Sequence, residues 1–268
     1  TYKYGADIYA PRLALGGYIF DGWDSPISNT MPAGNVTYSA KWKADPNTPY
    51  RVEHYFQNVS SDGYTYMSSE SKTGETSSSV SVANLAKSSD GMTFKQATVG
   101  GKVENSAAIR ADGTLVIKLY YDRNTADVIF DSKGGSEVAK LTGIRYGTAV
   151  NRPDGPTKAG YSFGGWYKDE ACSDGNAFDF SLDKMTGGNL TLYAKWVAGS
   201  YRVTFDANGG SGTTLPQNFT FGVEQALTAN GFVRPGYTFS GWNTKADGTG
   251  EAYDGGALVM NLTTGSDI

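Results

Sequence analysis

The sequence predicts an α+β fold that is mostly β and is built as an elongated array of small modules. Composition is one of two observations that predict it: the 268 residues include 35 glycines and 18 tyrosines, and only 19% of them are charged. Aromatic and β-branched residues fit pleated, half-buried strands, whereas Gly, Asn and Asp supply turns. The other observation is a pattern that recurs along the chain, so several small cores are expected instead of one.

The repeat is most complete between Ala126 and Trp196. It begins with ADVIFDSKGG, continues with GYSFGGWY and ends with NLTLYAKW. The pattern starts again at Tyr201 with YRVTFDANGG and GYTFSGWNTKADG, and its second half stands near the N-terminus as GGYIFDGWD and NVTYSAKW. The chain therefore divides into four segments. The first segment, 1–43, is a repeat without its opening strand, and the second segment, 50–123, has a different sequence. The third segment, 126–197, is a complete repeat, and the fourth segment, 201–268, is a repeat without its last strand.

Two strands are predicted in the first segment. One runs from Tyr18 to Trp23 and the other from Val36 to Trp42, where apolar residues alternate with Thr, Ser and Lys. Alternation of this kind gives a strand one apolar and one polar face. The sequence ADPNTP at 44–49 combines two prolines with Asp and Asn, which disfavours strand structure, so we place a module boundary there.

The second segment opens with a predicted strand, YRVEHYFQN. Its apolar face is formed by Val52, His54 and Phe56, and its other face carries four polar or amphipathic side chains: Arg51, Glu53, Tyr55 and Gln57. An Asp-Gly pair at 62–63 predicts a hairpin turn into a polar strand.

Farther along the second segment, the stretch SSSVSVANLAKSSDG spaces its apolar residues in a loosely helical way behind serines that can cap a helix. It therefore predicts a short helix around 80–86. MTFKQATVGGKV predicts further strands, and AAIRADGTLVIKLYYD predicts a closing hairpin that turns at Asp112-Gly113. Strands with one short helix indicate a small α+β roll.

The end of the fourth segment aligns with the third segment just before its last strand. DKMTGGNL at 183–190 matches NLTTGSDI at 261–268, so a strand like TLYAKW is expected to come next. We therefore expect both chain ends to be artificial or processed. A sheet edge left unpaired at either end is expected to pair with another molecule or to fray.

Tryptophans and glycines mark the same places in each copy. The indoles follow a glycine in GYxFxGW or end the AKW strand: Trp23, Trp166, Trp242, Trp42 and Trp196. Each can bury roughly 150–250 Å², so recurrence at one place favours core packing over sugar stacking. Glycines before the aromatic strand and after the first strand are predicted to need positive φ: Gly17, Gly160, Gly236, Gly134-Gly135 and Gly209-Gly210.

The motifs VTFDANGG, GYxFxGW and LTLYAKW, in fixed order, resemble the Listeria-Bacteroides repeat, or internalin B-repeat, of bacterial surface proteins. The resemblance covers the first, third and fourth segments. In the second segment, YRVEHYFQN, SKTGETSSSV and LVIKLYYDRN are similar to a MucBP-type domain. Both resemblances imply compact β-grasp, ubiquitin-like modules in tandem on the outside of Gram-positive and related cells.

Charge and hydropathy exclude two classes of partner. A net charge of -4 provides no basic stripe for nucleic acid, and the chain has no apolar run near the roughly 20 residues that insert into a membrane. A targeting segment could lie outside this sequence. Cys172 is the only cysteine, which excludes an intramolecular disulfide.

Enzyme chemistry finds little support in the residue types. His54 is the only histidine, so it cannot form a histidine pair, and we interpret it as a packed residue. Four carboxylates that cluster in sequence are interpreted as a solvated loop without calcium-ligand spacing: Asp169, Glu170, Asp174 and Asp179. We predict a protein that is not an enzyme, with no catalytic, cofactor or metal site.

Two functions remain open at this point. The favoured hypothesis is a non-enzymatic region of a bacterial cell-surface adhesin, extracellular and attached to the cell wall through parts outside this sequence. It would act as a stalk or spacer beside neighbouring repeats, with weak multivalent binding to a host glycoprotein, mucin or other surface protein. The alternative is a carbohydrate-binding accessory region of a secreted glycan-active enzyme. The pattern does not identify Tyr64 and Tyr66 as ligands; if they are exposed, loss of binding on changing either one, with folding intact, would locate a site.

Overall fold

A computed structural model describes residues 2–268. The chain is nearly all β, with twenty-one strands and one 3-10 turn at Val82–Asn84, and no α-helix occurs within 2–268. The mostly β prediction is confirmed, and the α part of the α+β prediction is wrong. Two compact units are formed. The first contains residues 2–125 with 145–148 and 186–188, and the second contains 126–144, 149–185 and 189–268.

The first unit contains a two-stranded and a five-stranded sheet, together with one further short strand pair. Its strands are β1 (Tyr18–Trp23), β2 (Ala40–Ala44), β3 (Thr48–Gln57), β4 (Tyr64–Gly74), β5 (Ser79–Ser81), β6 (Met92–Val99), β7 (Lys102–Val103), β8 (Ser106–Ala108) and β9 (Val116–Arg123). The five-stranded sheet has the order β4-β3-β9-β6-β7, with β3 and β9 parallel. The turn at Asp62-Gly63 joins β3 to β4 as predicted.

The predicted strand from Val36 begins only at Ala40. At the preceding position, the Asp24 carboxylate accepts the Ser39 N–H at 3.0 Å. A side chain therefore takes the place that a strand backbone would occupy. From Ala40 onward β2 pairs with β1 in the antiparallel direction.

The predicted helix around 80–86 is wrong. Ser79–Ser81 forms β5, which pairs with β8, and the Val82 N–H donates to the Asn105 carbonyl at 2.9 Å. This pairing satisfies the backbone without a helix, and a single 3-10 turn then lets Val82 and Leu85 both enter the core. Serine and β-branched valine also have a low helix propensity.

The predicted closing hairpin is also wrong, although its turn forms. The Gly113 N–H donates to the Arg110 carbonyl at 2.9 Å. The strands on either side, however, lie in different sheets, since β8 pairs with β5 whereas β9 lies between β3 and β6. Buried Ile109 and Leu115 flank the turn and separate the two strands.

One hydrophobic cluster fills the core of the first unit. It lies against the inner face of the five-stranded sheet and is closed by the segment around the 3-10 turn. Its buried members are Tyr50, Val52, Val82, Leu85, Met92, Ala97, Ile109, Leu115, Ile117, Leu119 and Tyr121. The strict alternation of β9 directs every second side chain of that strand into this cluster.

The second unit contains a four-stranded sheet and four two-stranded pairs. Its strands are β10 (Thr125–Asp131), β11 (Leu141–Arg145), β12 (Tyr161–Tyr167), β13 (Leu190–Ala198), β14 (Ser200–Val203), β15 (Ser211–Gly212), β16 (Gln217–Thr220), β17 (Gln225–Ala226), β18 (Phe232–Val233), β19 (Trp242–Asn243), β20 (Ala252–Tyr253) and β21 (Leu258–Val259). The four-stranded sheet has the order β11-β10-β13-β12, with β10 and β13 parallel. Two separate clusters form the cores of this unit: one around Trp166 and Leu192, and one around Phe205 and Phe219.

The FxGW sequence of the third segment forms a β-bulge. Phe163 of β12 pairs with Trp196 of β13, and Trp166 pairs with Ala194, so three steps along β12 match two along β13. The extra residue moves Phe163 and Trp166 onto the same face, with their rings 5.3 Å apart. Trp166 is only 2% exposed, which places the repeated motif in the core.

The first segment repeats this register. Phe20 pairs with Trp42 and Trp23 pairs with Ala40, and the rings of Phe20 and Trp23 are 5.4 Å apart. The sequence motif therefore encodes a specific bulge and aromatic pair. Neither Trp23 nor Trp42 is fully exposed.

The predicted positive φ is found at the turn glycines Gly17, Gly134, Gly160, Gly209 and Gly236. The prediction is wrong for the second glycine of each pair, Gly135 and Gly210. These two are constrained by close approach instead, because a Cβ would collide with the Trp196 ring at Gly135 and with the Val233 carbonyl at Gly210.

No helix within residues 2–268 has the length and apolar character needed to cross a membrane.

Candidate functional site

The outer face of the five-stranded sheet carries a cluster of four tyrosines, which we call the tyrosine face: Tyr55, Tyr64, Tyr66 and Tyr120. Strand register brings them together. Tyr55 of β3 lies opposite Tyr66 of β4 on one side and opposite Tyr120 of β9 on the other. Side chains at paired positions of neighbouring strands point to the same face, so the three rings form a row across the sheet.

A β-bulge in β4 is needed for this row. His54 pairs with Ser68, and the next residue of β3, Tyr55, pairs with Tyr66, so Met67 has no partner on β3. Without the bulge, Met67 would lie opposite Tyr55 and Tyr66 would be displaced from the row. The bulge therefore determines which β4 side chains join the outer face.

The rings contact one another directly. Tyr55 stacks on Tyr120 at 5.2 Å between centroids, and the edges of Tyr66 and Tyr64 meet Tyr55 and Tyr120 at 5.8 and 5.1 Å. Tyr66 remains 50% exposed and the other three are half-buried. Such a surface offers flat aromatic area together with phenol hydroxyls.

Charged side chains border the tyrosine face. Lys95 donates to the Tyr64 hydroxyl at 2.9 Å and pairs with Asp122 at 3.1 Å, and Tyr64 also donates to Asp122. On the other side, Tyr55 donates to Glu53 at 2.8 Å, and Lys118 lies over the Tyr55 ring. These charged side chains form a rim around the tyrosine face, in which lysines and carboxylates together hold the tyrosines in place.

These contacts raise the pKa values of two of the tyrosines. The hydrogen bond to Glu53 raises the pKa of Tyr55, and partial burial followed by the hydrogen bond to Asp122 raises the pKa of Tyr64. The hydrogen bond to Tyr64 likewise raises the pKa of Lys95. At neutral pH these rings are neutral phenols beside charged lysines, which suits the recognition of hydroxyl-rich or carboxylate-bearing ligands.

A shallow groove of about 410 Å³ continues from the tyrosine face along β9. Lys118 and Tyr120 belong to both surfaces, and Arg110 and the Gly100-Gly101 turn lie farther along. The groove extends the platform with one more cation. A flat aromatic area next to a polar groove provides stacking and hydrogen-bonding groups on one continuous surface.

His54 lies on the opposite, inner side of the same sheet. Only 4% of it is exposed, its Nδ1 contacts the Tyr121 hydroxyl at 3.0 Å and its Nε2 contacts Glu70 at 3.1 Å. Glu70 also pairs with Lys72 and Lys87, and the hydrogen bond from Lys87 contributes most to lowering its pKa to about 2. His54 is thus buried, as expected of a packed residue, and the structure adds a polar network around it on the face opposite the tyrosines.

The four clustered carboxylates lie on an exposed loop and serve local structure. Asp169 accepts hydrogen bonds from Ser173 and Asp179 accepts them from Ser181, which lowers the pKa of both. Glu170 and Asp174 instead approach lysines. A lowered pKa is opposite to what a general acid needs, so neither Asp169 nor Asp179 fits that role in a glycosidase pair.

Cys172 is half-buried in the same loop, and burial raises the pKa of its thiol. Across residues 2–268, the His, Cys, Asp and Glu side chains form no group of three or more placed to hold a metal ion. That the chain is not an enzyme stays a prediction.

None of the four tyrosines was predicted from the sequence as a site residue: Tyr64 and Tyr66 were named only as positions for a binding test, and Tyr55 and Tyr120 were missed. A sequence pattern could have identified them, because both tyrosines lie on the outer face of strands whose inner face is apolar. Two other residues predicted on the polar face of β3 are buried: Glu53 is 7% exposed and Gln57 is 8% exposed. Gln57 accepts the Arg123 N–H at 3.0 Å, which explains its burial.

The GW and AKW strands pair in the same register in the first and third segments. The sequence of the chain also matches a known family. The sequence model of the Listeria-Bacteroides repeat domain matches residues 127–195 and 201–264. These two stretches of the chain are similar to Listeria-Bacteroides repeats. The match coincides with the third and fourth segments, and the tyrosine face lies outside it.

Three relatives illustrate the similarity. A putative membrane protein of Evansella cellulosilytica is 35% identical over 145 residues, covering 53% of this chain and 21% of the relative. A putative Gly-rich membrane protein of the same organism is 30% identical over 253 residues, covering 90% and 28%. Internalin H of Listeria monocytogenes is 29% identical over 244 residues, covering 90% and 35%. The chain thus spans between about a fifth and about a third of the length of these relatives.

Proposed function

We propose that this chain is a non-enzymatic repeat region of a bacterial cell-surface adhesin, which serves as a stalk or spacer and binds a host glycan or glycoprotein weakly through the tyrosine face. The single observation that carries the binding part is the row formed by Tyr66, Tyr55 and Tyr120 on the outer face of a sheet. The location is extracellular, with attachment to the cell wall through other parts of the protein.

The relatives support a surface location. One carries the name Internalin H, and two are described as putative membrane proteins. In the Internalin H and Gly-rich comparisons, 90% of this chain is matched, so the similarity extends beyond the two repeats that match the family.

The sheets support one fold for the second and third segments. In both, the last strand lies parallel to the first, the second strand pairs outside the first, and the third strand pairs outside the last. This order supports a β-grasp fold for both modules, whereas the MucBP-like identity of the second segment rests on the motifs YRVEHYFQN, SKTGETSSSV and LVIKLYYDRN.

The junctions between segments support a spacer role. Within the first unit, the Gly17 carbonyl accepts the Asp45 N–H at 2.9 Å, and within the second unit, the Gly160 carbonyl accepts the Gly199 N–H at 2.8 Å. Both contacts join the GY turn of a repeat to the residue after its AKW strand. The same residue then accepts from the next module: the Asp45 carbonyl accepts the Thr76 N–H and the Gly199 carbonyl accepts the Phe221 N–H, both at 3.0 Å. A junction built twice in this way restricts motion between consecutive modules.

The chemistry of the tyrosine face supports a glycan ligand. Exposed aromatic rings stack on the apolar faces of sugars, while lysines and carboxylates at the rim offer partners for hydroxyl and acidic groups. One such face gives weak binding, and several copies on a cell surface would raise the overall affinity through multivalency.

The test is binding of the 268-residue chain to a glycan array and to an immobilised mucin glycoprotein. We expect weak binding that Tyr66→Ser reduces about five- to tenfold, corresponding to roughly 1 kcal/mol of aromatic contact. Tyr9→Ser is the matched control, because Tyr9 is 85% exposed and lies outside the tyrosine face. Thermal unfolding of each variant checks that the fold is intact.

Equal binding by wild type and Tyr66→Ser would reject the tyrosine face as the site. Absence of binding to every glycan and to mucin would reject the adhesive role. Binding confined to structural polysaccharides, with no host glycan bound, would favour the carbohydrate-binding accessory region of a glycan-active enzyme.

A further inference from the structure

The junction between the second and third segments is built like the junctions at Asp45 and Gly199. Gly91 lies in the turn before β6, with φ of 66°, and its carbonyl accepts the Asn124 N–H at 2.8 Å. The Asn124 carbonyl in turn accepts the Tyr146 N–H at 2.8 Å. These three residues all belong to the first unit. The same backbone arrangement therefore follows the first, second and third segments, although the second has a different sequence.

Two of the junction glycines make room for an aromatic ring of the following segment. A Cβ on Gly91 would collide with the Tyr146 ring, as a Cβ on Gly160 would collide with the Phe221 ring. Tyr146 and Phe221 also occupy corresponding places in their repeats, since each is followed directly by a glycine. At both places, therefore, an aromatic residue of the later segment packs on the turn of the earlier one.

Tyr146 belongs to the third segment by sequence, but it packs against the core of the second segment. The residue is half-buried, and the stretch 145–148 is part of the first unit. Arg123 at the end of β9 holds the same stretch, since its guanidinium donates to the Tyr146 carbonyl at 3.0 Å. Because apolar area removed from water stabilises a core, the Tyr146 ring contributes to the stability of the second segment.

Tyr161 makes the corresponding contact with the fourth segment. It is the first residue of β12, yet it packs against the core that the fourth segment forms. The ring centroids of Tyr161 and Phe221 lie 6.2 Å apart, and the Tyr161 hydroxyl lies beside Gly222. These contacts are within the second unit. The third segment thus contributes one tyrosine to the core of each of its neighbours.

We infer that the third segment stabilises both of its neighbours by completing their cores, the second segment through Tyr146 and the fourth through Tyr161. Each neighbour is then less stable without that tyrosine than with it. Energetic coupling between nearest neighbours lets a row of small modules resist local opening. This coupling extends the proposed spacer role, on which its biological meaning rests, and it does not depend on glycan binding.

Hydrogen exchange of the 268-residue chain tests the contact with the second segment. Tyr146→Ser should speed exchange at Val52 and Leu119 about tenfold, because the second core loses an aromatic contact. Tyr146→Phe keeps the ring and should exchange like wild type. Unchanged exchange at Val52 and Leu119 in Tyr146→Ser would overturn the inference. Equal acceleration by Tyr146→Phe would overturn it too, since the effect would then belong to the hydroxyl and not to packing.

Tyr193→Ser is the matched control within the third segment. Tyr193 is also half-buried, but it lies on the face of β13 opposite Leu192, where it pairs with Tyr167. This variant should leave exchange in the second core unchanged. Equal acceleration of the second core by Tyr193→Ser and Tyr146→Ser would show a response to any loss of stability in the third segment, which would overturn the assignment to the Tyr146 contact.

The contact with the fourth segment is tested in the same way. Tyr161→Ser should speed exchange around Val203 and Phe219 about tenfold, whereas Tyr161→Phe should match wild type. Unchanged exchange at both positions in Tyr161→Ser would overturn the inference for the fourth segment.

Glycan binding separates this result from the proposed function. Tyr146→Ser should bind the glycan array and mucin like wild type, because Tyr146 packs against the core and not on the tyrosine face. Wild-type exchange in Tyr146→Ser, with glycan binding intact, would reject the coupling alone. Accelerated exchange in a chain that binds no glycan would support the coupling and reject the adhesive role.

Discussion

The glycine of the GY turn has two roles in this molecule, and only one of them is common to every copy. Gly160 and Gly236 have nearly equal φ values of 78° and 80°. A Cβ on Gly160 would collide with the ring of Phe221, whereas a Cβ on Gly236 would meet nothing within 4 Å. Gly160 is therefore required both for the turn and for the junction with the fourth segment.

This pair separates the two roles by experiment. We expect Gly236→Ala to reduce stability by about 1 kcal/mol through positive φ alone. Gly160→Ala should lose a further 1–3 kcal/mol, roughly the cost of overpacking against Phe221. Denaturant unfolding of both variants measures the difference, and equal losses would show that the junction contact contributes nothing.

The Glu70 carboxylate contacts three basic side chains beside the core of the first unit: His54, Lys72 and Lys87. Because its pKa is lowered from 4.5 to about 2, its ionised form stabilises the fold above pH 4.5, and this contribution is lost as pH falls from 4.5 to 2. Glu70→Gln removes the ionised form at every pH.

We therefore expect wild type to be more stable than Glu70→Gln at pH 7 and to lose that advantage on acidification to pH 2. Hydrogen exchange at Val52 and Leu119 reports the second segment alone, since both are buried in its core. Exposed Glu104→Gln is the control. A difference between wild type and Glu70→Gln that stays constant from pH 7 to pH 2 would contradict the assignment.

The FxGW bulge forms in the first and third segments, and the fourth segment keeps its positive-φ glycine. The glycine before each tryptophan has φ of 91°, 112° and 142° in the first, third and fourth segments: Gly22, Gly165 and Gly241. The residue just before that glycine varies among Asp21, Gly164 and Ser240. Only the second bulge position therefore requires glycine.

Adjacent substitutions test this requirement. Gly165→Ala should destabilise the third segment by about 1–2 kcal/mol, since alanine is strained at positive φ. Gly164→Ala should stay within about 0.5 kcal/mol of wild type, because a Cβ there would make ordinary contacts at 3.4 Å. Calorimetric unfolding compares the two, and equal losses would show that the bulge is not the reason for the conserved spacing of the motif within this chain.

Strands and turns with strong local signals were predictable from the sequence. The Asp62-Gly63 hairpin and the strand Tyr18–Trp23 form as expected, because their alternation and turn chemistry are local. The helix around 80–86 and the hairpin at 112–113 failed for a different reason. Pairing of β5 with β8 is a tertiary choice that local propensity cannot show.

The candidate site was not predicted from the sequence. Tyr64 and Tyr66 were named only as positions for a binding test, and their contact with Tyr55 and Tyr120 depends on a parallel pairing of β3 with β9 and on a bulge at Met67. Neither has a local sequence signature. Register across distant strands is therefore what the structure adds to the tyrosine pattern.

Across the whole molecule, the repeated and unrepeated parts use aromatic residues differently. In the third segment Trp166 and Phe163 face a core, and the Trp196 indole donates to the Ser132 carbonyl at 2.8 Å. In the second segment four tyrosines lie on the outer face of a sheet, away from the hydrophobic core that packs against its inner face. We expect ligand contact in the second segment and structural roles for the tryptophans.

Hydrogen exchange of the 268-residue chain, with and without a saturating mucin O-glycopeptide, tests this division most directly. We predict slower exchange at β3, β4 and β9 around Tyr55, Tyr66 and Tyr120, with no change in the GW and AKW strands of the third segment. Slower exchange at β12 and β13, with the second segment unchanged, would contradict the account and assign recognition to the repeated tryptophan motif.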